Sequence, residues 1–178
     1  ILLSWLMLYF MGYSDKAIFN NMIVDDSFSY YFKFILYFST LSVIVVSRYY
    51  KELDDEHRPE YNTLLLIILL GMILMTSSIN LVMIYLSLEL VSIPSYILAG
   101  ILKNDKRSNE ASLKYVIFGS FASGLMLFGF SLLYGVSGTT DIYGIHDALL
   151  TVNNPSMILM SIMLILVGFG YKISMVPF

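Results

Sequence analysis

The chain has 178 residues, of which 58% are hydrophobic and 13% are charged, and its mean hydropathy is +0.78. This composition excludes an ordinary soluble domain and indicates a membrane protein. The formal net charge of -3 indicates no particular partner, because most charged residues fall in predicted loops. The absence of cysteine excludes disulfides and thiolate-held metals or iron–sulfur clusters, and His57 and His146 are too widely separated to indicate a metal site.

Hydropathy predicts an all-α integral membrane bundle that forms a single domain over residues 1–178. It has about five complete transmembrane helices and one partial helix at the start of the chain. The partial run is too short to cross a bilayer alone and lacks the basic start of a signal peptide. The predicted spans are residues 1–12 (partial), 27–47, 61–78, 80–102, 110–135 and 155–175. Residues 13–26 and 136–154 are predicted to be polar connections.

The basic residues of the loops predict how the bundle is oriented. Loops after the second and fourth spans carry six Lys or Arg residues, whereas the other loops carry only Lys16. Since basic loops remain on the cytoplasmic or matrix side, the two basic loops should lie together at that face. The six residues are Arg48, Lys51, Arg58, Lys103, Lys106 and Arg107.

One carboxylate lies where lipid tails are expected. Glu89 is the only charged residue between Leu64 and Leu102, a run that would be roughly 58 Å long as one helix at ~1.5 Å per residue. A bilayer core is about 30 Å thick, so the run must turn, and residues 76–80 are the polar place to do so. Glu89 then falls near the middle of a span. It is either a functional site or a protonated residue that links helices.

Other polar side chains share helices with this carboxylate or lie near it in the predicted bundle. Tyr85, Ser92 and Tyr96 fall on the same helix face as Glu89. The small residues of the run 119–124 allow another helix to approach closely. Ser108 is a candidate cap for the helix that follows it.

Three lysines also fall inside predicted spans. Lys33 is interpreted as extending to the interface. Lys114, about 9 Å inside the basic face, either pairs with Glu110 at the surface or serves a buried site. Lys172 lies roughly 24 Å from the opposite face. It either reaches the far side or precedes a break near Pro177, since interrupted helices build ion sites in transporters.

Glu89, Lys114 and Lys172 therefore lie on three successive helices and are the candidate proton-transfer residues. Burial disfavours the charged form of an acid or an amine, whereas proximity of the two favours both charged forms. An acid–amine pair in a low dielectric is thus sensitive to any charge that moves nearby. We expect the three side chains to converge and to exchange protons.

Four ordered stretches resemble one family of membrane proteins. The run Leu70–Gly100 and the later runs Ser108–Tyr115, Phe130–Gly135 and Gly168–Phe178 resemble the antiporter-like, proton-translocating subunits of respiratory complex I. The most similar group is NADH dehydrogenase subunit 2, and the resemblance suggests its amino-terminal half. It implies that Glu89, Lys114 and Lys172 match the family's glutamate and two lysines, the last just before a helix break.

The resemblance also implies a function. The chain is expected to be a membrane-arm subunit of NADH:ubiquinone oxidoreductase that contributes a Glu–Lys half-channel to proton translocation, with no redox chemistry of its own. NADH, FMN, iron–sulfur clusters and quinone are expected on partner subunits. Expected partners are other membrane-arm subunits, a second polypeptide that supplies further carboxy-terminal helices, and phospholipids, but not nucleic acid.

Two other functions remain open. The chain is alternatively a subunit of a multi-subunit cation/proton antiporter, or a structural scaffold whose charges only hold helices together. The 14 Tyr and 12 Phe suit an AT-rich organellar genome and favour the mitochondrial inner membrane over a bacterial plasma membrane.

Overall fold

The computed structural model describes residues 17–50, 57–150 and 154–176, together with Ile1 and Ser4. Five of its helices are long and apolar enough to cross a membrane, which confirms the predicted number of complete spans. The rest of the predicted partial span and Pro177 lie outside the described residues. The elements are β1 (Ala17–Ile18), β2 (Ile23–Val24), α1 (Ser27–Ser47), α2 (Arg58–Thr76), α3 (Leu81–Ala99), α4 (Lys106–Ser137), the short α5 (Ile142–Leu149) and α6 (Pro155–Lys172).

Short polar side chains cap four of the helices, α1, α3, α4 and α5. Asp26 accepts a hydrogen bond from the backbone N–H of Ser29 at 2.8 Å, and Asn80 accepts one from Val82 at 3.0 Å, so α1 and α3 have side-chain caps. The prediction that Ser108 caps α4 is wrong, because Asp105 is the cap. The hydroxyl of Ser108 instead donates to the carbonyl of Ala99 at 2.9 Å.

Two connections predicted to be polar loops contain regular structure. Strands β1 and β2 form an antiparallel hairpin whose turn, residues 19–21, has positive φ throughout. Helix α5 occupies part of the segment 136–154. Asp141 caps it by accepting from the N–H of Gly144 at 2.8 Å, and Ile145 is buried against the main core.

The core lies between α3, α4 and α6. Its buried side chains centre on Met126 of α4, which is fully buried, and include Leu88 of α3. Helices α4 and α6 approach closely where small residues meet. A Cβ built on Gly168 would lie 2.4 Å from the Cβ of Met126 and 3.1 Å from the carbonyl oxygen of Ala122. The predicted role of the run 119–124 in close packing is thus confirmed at Ala122.

Main-chain hydrogen bonds join three connections at one end of the bundle. The hairpin, the α2–α3 turn and the α4–α5 connection are linked by Val24 N–H to Ser77 O (2.8 Å), Ile79 N–H to Met22 O (3.0 Å), Leu81 N–H to Thr140 O (2.8 Å) and Ile142 N–H to Ile79 O (3.1 Å). We call these bonds the backbone clamp.

At the opposite end of the bundle, side chains link the connections between helices. The guanidinium of Arg58 donates to the carbonyl of Arg48 at 2.8 Å, and the ammonium of Lys103 lies 3.3 Å from the Glu60 carboxylate. The loops that carry the basic residues therefore lie together, as the charge pattern predicts.

Candidate functional site

Glu89 lies near the middle of α3, eight residues or about 12 Å from the start of that helix. Its side chain is 22% exposed, and its Oε1 lies 3.6 Å from the Nζ of Lys172 on α6. The structure thus brings together an acid and an amine that belong to two different spans and are 83 residues apart in the chain. Both residues belong to helices that are long and apolar enough to cross a membrane, and the ion pair is partly buried between them.

Lys172 is the last residue of α6, and its side chain is 14% exposed. The helix ends in a Schellman motif: Ser174 N–H donates to Tyr171 O at 3.0 Å, and Met175 N–H donates to Gly170 O at 2.8 Å. Ser174 is in the left-handed conformation that this motif requires, with φ 54°. The helix therefore stops at Lys172, and its carbonyl end favours a cation there.

The Lys172 ammonium contacts two hydroxyls as well as the carboxylate. It donates to the Oγ of Ser92 and lies 3.5 Å from the hydroxyl of Tyr96. The hydroxyl of Ser92 donates in turn to the carbonyl of Leu88 at 2.7 Å, so its oxygen is free to accept from the amine. Ser92 and Tyr96 are two of the three residues expected on the face of Glu89, and both are buried, while the third, Tyr85, is partly buried against the main core.

The carboxylate is more weakly held than the amine. Charge-assisted N–H···O bonds are about 2.7–2.9 Å long, so the 3.6 Å separation is an ion pair without a full hydrogen bond. Among the described residues, the buried Oε1 of Glu89 has no hydrogen-bond partner. The pair is therefore electrostatically coupled yet not locked together.

Three residues of α4 hold Tyr96 in place. A Cβ built on Gly119 would lie 2.2 Å from the Tyr96 hydroxyl oxygen, so this position admits only glycine if the ring stays where it is. The ring of Tyr115 meets that of Tyr96 edge-on, with centroids 4.6 Å apart. The hydroxyl of Ser112 donates to the Tyr96 carbonyl at 2.8 Å. Gly119 belongs to the small-residue run 119–124 that the sequence indicates for close packing, whereas the roles of Ser112 and Tyr115 were not predicted.

Lys114 is not brought to this pair. Its ammonium contacts the carboxylate of Glu110 one turn earlier on α4, and both side chains are 64% exposed. The expected convergence therefore holds for two of the three candidate residues. Lys33 extends toward the start of α1, where its amine pairs with Asp25 at 2.6 Å and its side chain is 12% exposed.

Comparison with known proteins identifies the family. The family described as NADH:quinone oxidoreductase/Mrp antiporter, transmembrane, matches residues 78–178, more than half of the chain. The chain belongs to this family. The matched region contains the three candidate proton-transfer residues and all of α3, α4, α5 and α6.

Curated relatives in the family share substantial identity with the chain. The NADH-quinone oxidoreductase subunit N 2 of Chloroherpeton thalassium is 46% identical over 164 residues, which cover 90% of this chain and 32% of that protein. Subunit N of Anaeromyxobacter sp. (strain Fw109-5) is 38% identical over 171 residues, covering 91% and 33%. The chain therefore spans about a third of the length of these relatives.

Solved structures agree with the family assignment. A chain of respiratory complex I from Thermus thermophilus with bound Aureothin is 26% identical, with a TM-score of 0.72 over 99% of this chain and 36% of that chain. A chain of an archaeal membrane-bound sulfane sulfur reductase has a TM-score of 0.73 at 21% identity, which shows a shared fold. The five apolar helices and the membership of this membrane-protein family together show that the protein is a multi-pass membrane protein.

Proposed function

We propose that the chain is a membrane-arm subunit of a NADH-quinone oxidoreductase and that Glu89 and Lys172 form a proton-transfer site within it. The observation that carries the proposal is the ion pair of 3.6 Å between α3 and α6, with side chains that are 22% and 14% exposed. Ionisable groups inside a membrane are costly and usually mark a transport path. The relatives named as subunits of this oxidoreductase support the same assignment.

The proposed chemistry is proton transfer without any other covalent change. With the proton on Lys172 the pair is ionic, and with the proton on Glu89 both groups are neutral. Because burial penalises the ionic form and proximity favours it, a charge that moves nearby can change which form is stable. The membrane potential contributes about 2.3 kcal/mol per elementary charge per 100 mV, which is enough to bias such an equilibrium.

Lys114 enters the proposal as a third proton-transfer residue, separate from the central pair. Its contact with Glu110 repeats the acid–amine combination one turn apart on α4. Since both side chains are largely exposed in the isolated chain, we expect this pair to exchange protons with the basic face of the bundle. Because the chain spans about a third of its relatives' length, we assign it one part of a path.

The remaining assignments follow from composition and family. We assign no redox chemistry to this chain, because it contains no cysteine to ligate an iron–sulfur cluster. NADH, FMN, iron–sulfur clusters and quinone would be held by partner subunits, and the contacts of this chain would be with other membrane-arm subunits and phospholipids. The aromatic-rich composition supports the mitochondrial inner membrane, and the bacterial relatives support a plasma membrane as the alternative.

A second candidate function is supported by the family description, which also includes Mrp antiporters. In that case the same pair would couple proton movement to a cation. Cation-dependent proton flux in vesicles that contain the complex but receive no NADH would favour the antiporter. Proton flux that requires NADH and quinone would favour the oxidoreductase.

The proposal is tested by Glu89→Gln in the full chain within its assembled complex. The amide keeps the shape of the side chain but cannot exchange a proton in the same way. We expect NADH-driven proton pumping to fall by about tenfold or more, a typical effect of losing a positioned acid–base group. Pumping is measured with a pH-sensitive dye in proteoliposomes, and the amount of assembled complex is measured on native gels.

Glu60→Gln is the matched control, because that glutamate also pairs with a lysine, Lys103, but is 55% exposed and lies outside the proposed path. We expect a smaller loss of pumping from this change. If Glu89→Gln pumps as well as the unaltered complex, the proton-transfer role is refuted. If pumping falls only in proportion to the amount of assembled complex, the residue is structural.

A further inference from the structure

We infer that Tyr96 is a positioning residue that, together with Ser92, keeps the Lys172 amine from closing onto Glu89. The inference rests on the proposed function and specifies how the pair stays able to separate. Two hydroxyls from α3 compete with the carboxylate of the same helix for one ammonium group. The result is an amine that is held beside the acid without being bound tightly by it.

The distances show this competition. The amine donates directly to Ser92 and lies 3.5 Å from the Tyr96 hydroxyl, whereas Glu89 Oε1 is 3.6 Å away. An ammonium group has three donor hydrogens and can donate to both hydroxyls at once, so the positions of these two oxygens determine how near the amine comes to the carboxylate. The Lys172 amine lies 5.9 Å from the centre of the Tyr96 ring, so it approaches the hydroxyl end of that ring.

The Tyr96 hydroxyl cannot easily follow the amine. The missing side chain of Gly119 provides the space that this hydroxyl occupies, and Tyr115 packs against the ring. The main chain of Tyr96 is tied to α4 through Ser112. The position of the hydroxyl is therefore determined by α3 and α4, while the amine arrives from α6.

Removal of the hydroxyl should let the amine close the gap to the carboxylate. The separation would then shorten from 3.6 Å toward the ~2.8 Å of a charge-assisted hydrogen bond, which must be broken before either group can exchange its proton. If one additional hydrogen bond must be broken first, proton transfer should slow by about fivefold.

The test uses Tyr96→Phe in the full chain within its assembled complex. We expect NADH-driven proton pumping to slow by about fivefold and the infrared carboxylate stretch of Glu89 to shift, with Glu89→Gln used to assign that band. Tyr134→Phe is the control, because this half-exposed tyrosine lies near the far end of α4. Gly119→Ala, which displaces the Tyr96 hydroxyl without deleting it, should shift the same band.

The double variant Glu89→Gln with Tyr96→Phe separates positioning from structure. If Tyr96 acts through the carboxylate, its substitution has no further effect once the carboxylate is gone. An equal slowing in both backgrounds, or an unshifted carboxylate band in Tyr96→Phe, overturns the inference. If Glu89→Gln alone leaves pumping intact, the proposed function fails, whereas a shifted band would still support the positioning of the amine.

Discussion

Gly168 offers the clearest prediction about what holds α6, and therefore Lys172, against the rest of the bundle. In Gly168→Ala the new Cβ would lie 2.4 Å from the Cβ of Met126, whereas carbon atoms pack best at about 3.5–4.0 Å. The carbonyl oxygen of Ala122, only 3.1 Å away, prevents a sideways shift. The two helices would have to separate by about 1 Å.

Overpacking of this kind costs about 1–3 kcal/mol. The better helix propensity of alanine offsets up to about 1 kcal/mol, so we expect a net loss of about 1–2 kcal/mol in the free energy of unfolding. Lys172 lies four residues later on the same helix, so the separation also displaces its amine from Ser92.

The measurement is the denaturant midpoint of the complex in detergent, followed by tryptophan fluorescence or by loss of the subunit on native gels. Gly124→Ala is the matched control, since a Cβ there meets no described atom within 4 Å. We expect that variant to be neutral or slightly more stable. Equal midpoints for the two alanine variants would refute the claim that Gly168 determines the distance between the helices.

Three further changes test other parts of the bundle by thermal unfolding. Lys33→Met leaves Asp25 without its amine in a pair whose side chains are only 12% and 26% exposed, so we expect a loss of about 1–3 kcal/mol. Lys103→Met breaks a pair that is 65% and 55% exposed and should change stability by less than about 1 kcal/mol; equal losses would contradict this reasoning. Ser174→Gly removes the strain of a φ of 54° at the end of α6 and should stabilise that end by about 1 kcal/mol. A lower melting temperature in that variant would contradict the assignment of strain to Ser174.

Much of the helical architecture could be predicted from the sequence because hydropathy and loop charge depend on composition alone. The same is true of Glu89, whose significance follows from being the only charge in a long apolar run. Ser92 and Tyr96 were predictable as its neighbours because they follow it at helical spacings of three and seven residues.

Which lysine meets Glu89 could not be predicted in this way. Sequence position gives the depth of Lys114 and Lys172 but not the rotation of α4 and α6 about their axes. That rotation depends on tertiary packing, particularly on the close approach at Gly168. The contact of Lys114 with Glu110 was one of two open interpretations, and only the packed structure distinguishes them.

The short elements were missed for a different reason. Helix α5 has eight residues, too few for a span, and Ser137–Thr140 before it resembles a loop. Its apolar residues Ile142, Ile145 and Leu149 recur at helical spacing after the cap residue Asp141. That pattern is a sequence signal from which α5 could have been predicted. The strands of the hairpin have two residues each, which is too short for any periodicity.

The backbone clamp has a consequence for how this protein can vary. Every residue except proline supplies a main-chain N–H, so these bonds survive most substitutions in the connections they join. The N–H of Leu81, the first residue of α3, donates to the carbonyl of Thr140, and Glu89 follows eight residues later. The distance of the acid from this end of the bundle is therefore set by main-chain hydrogen bonds. Apart from the caps Asn80 and Asp141, side chains in these connections can therefore vary without changing the position of the acid relative to its amine.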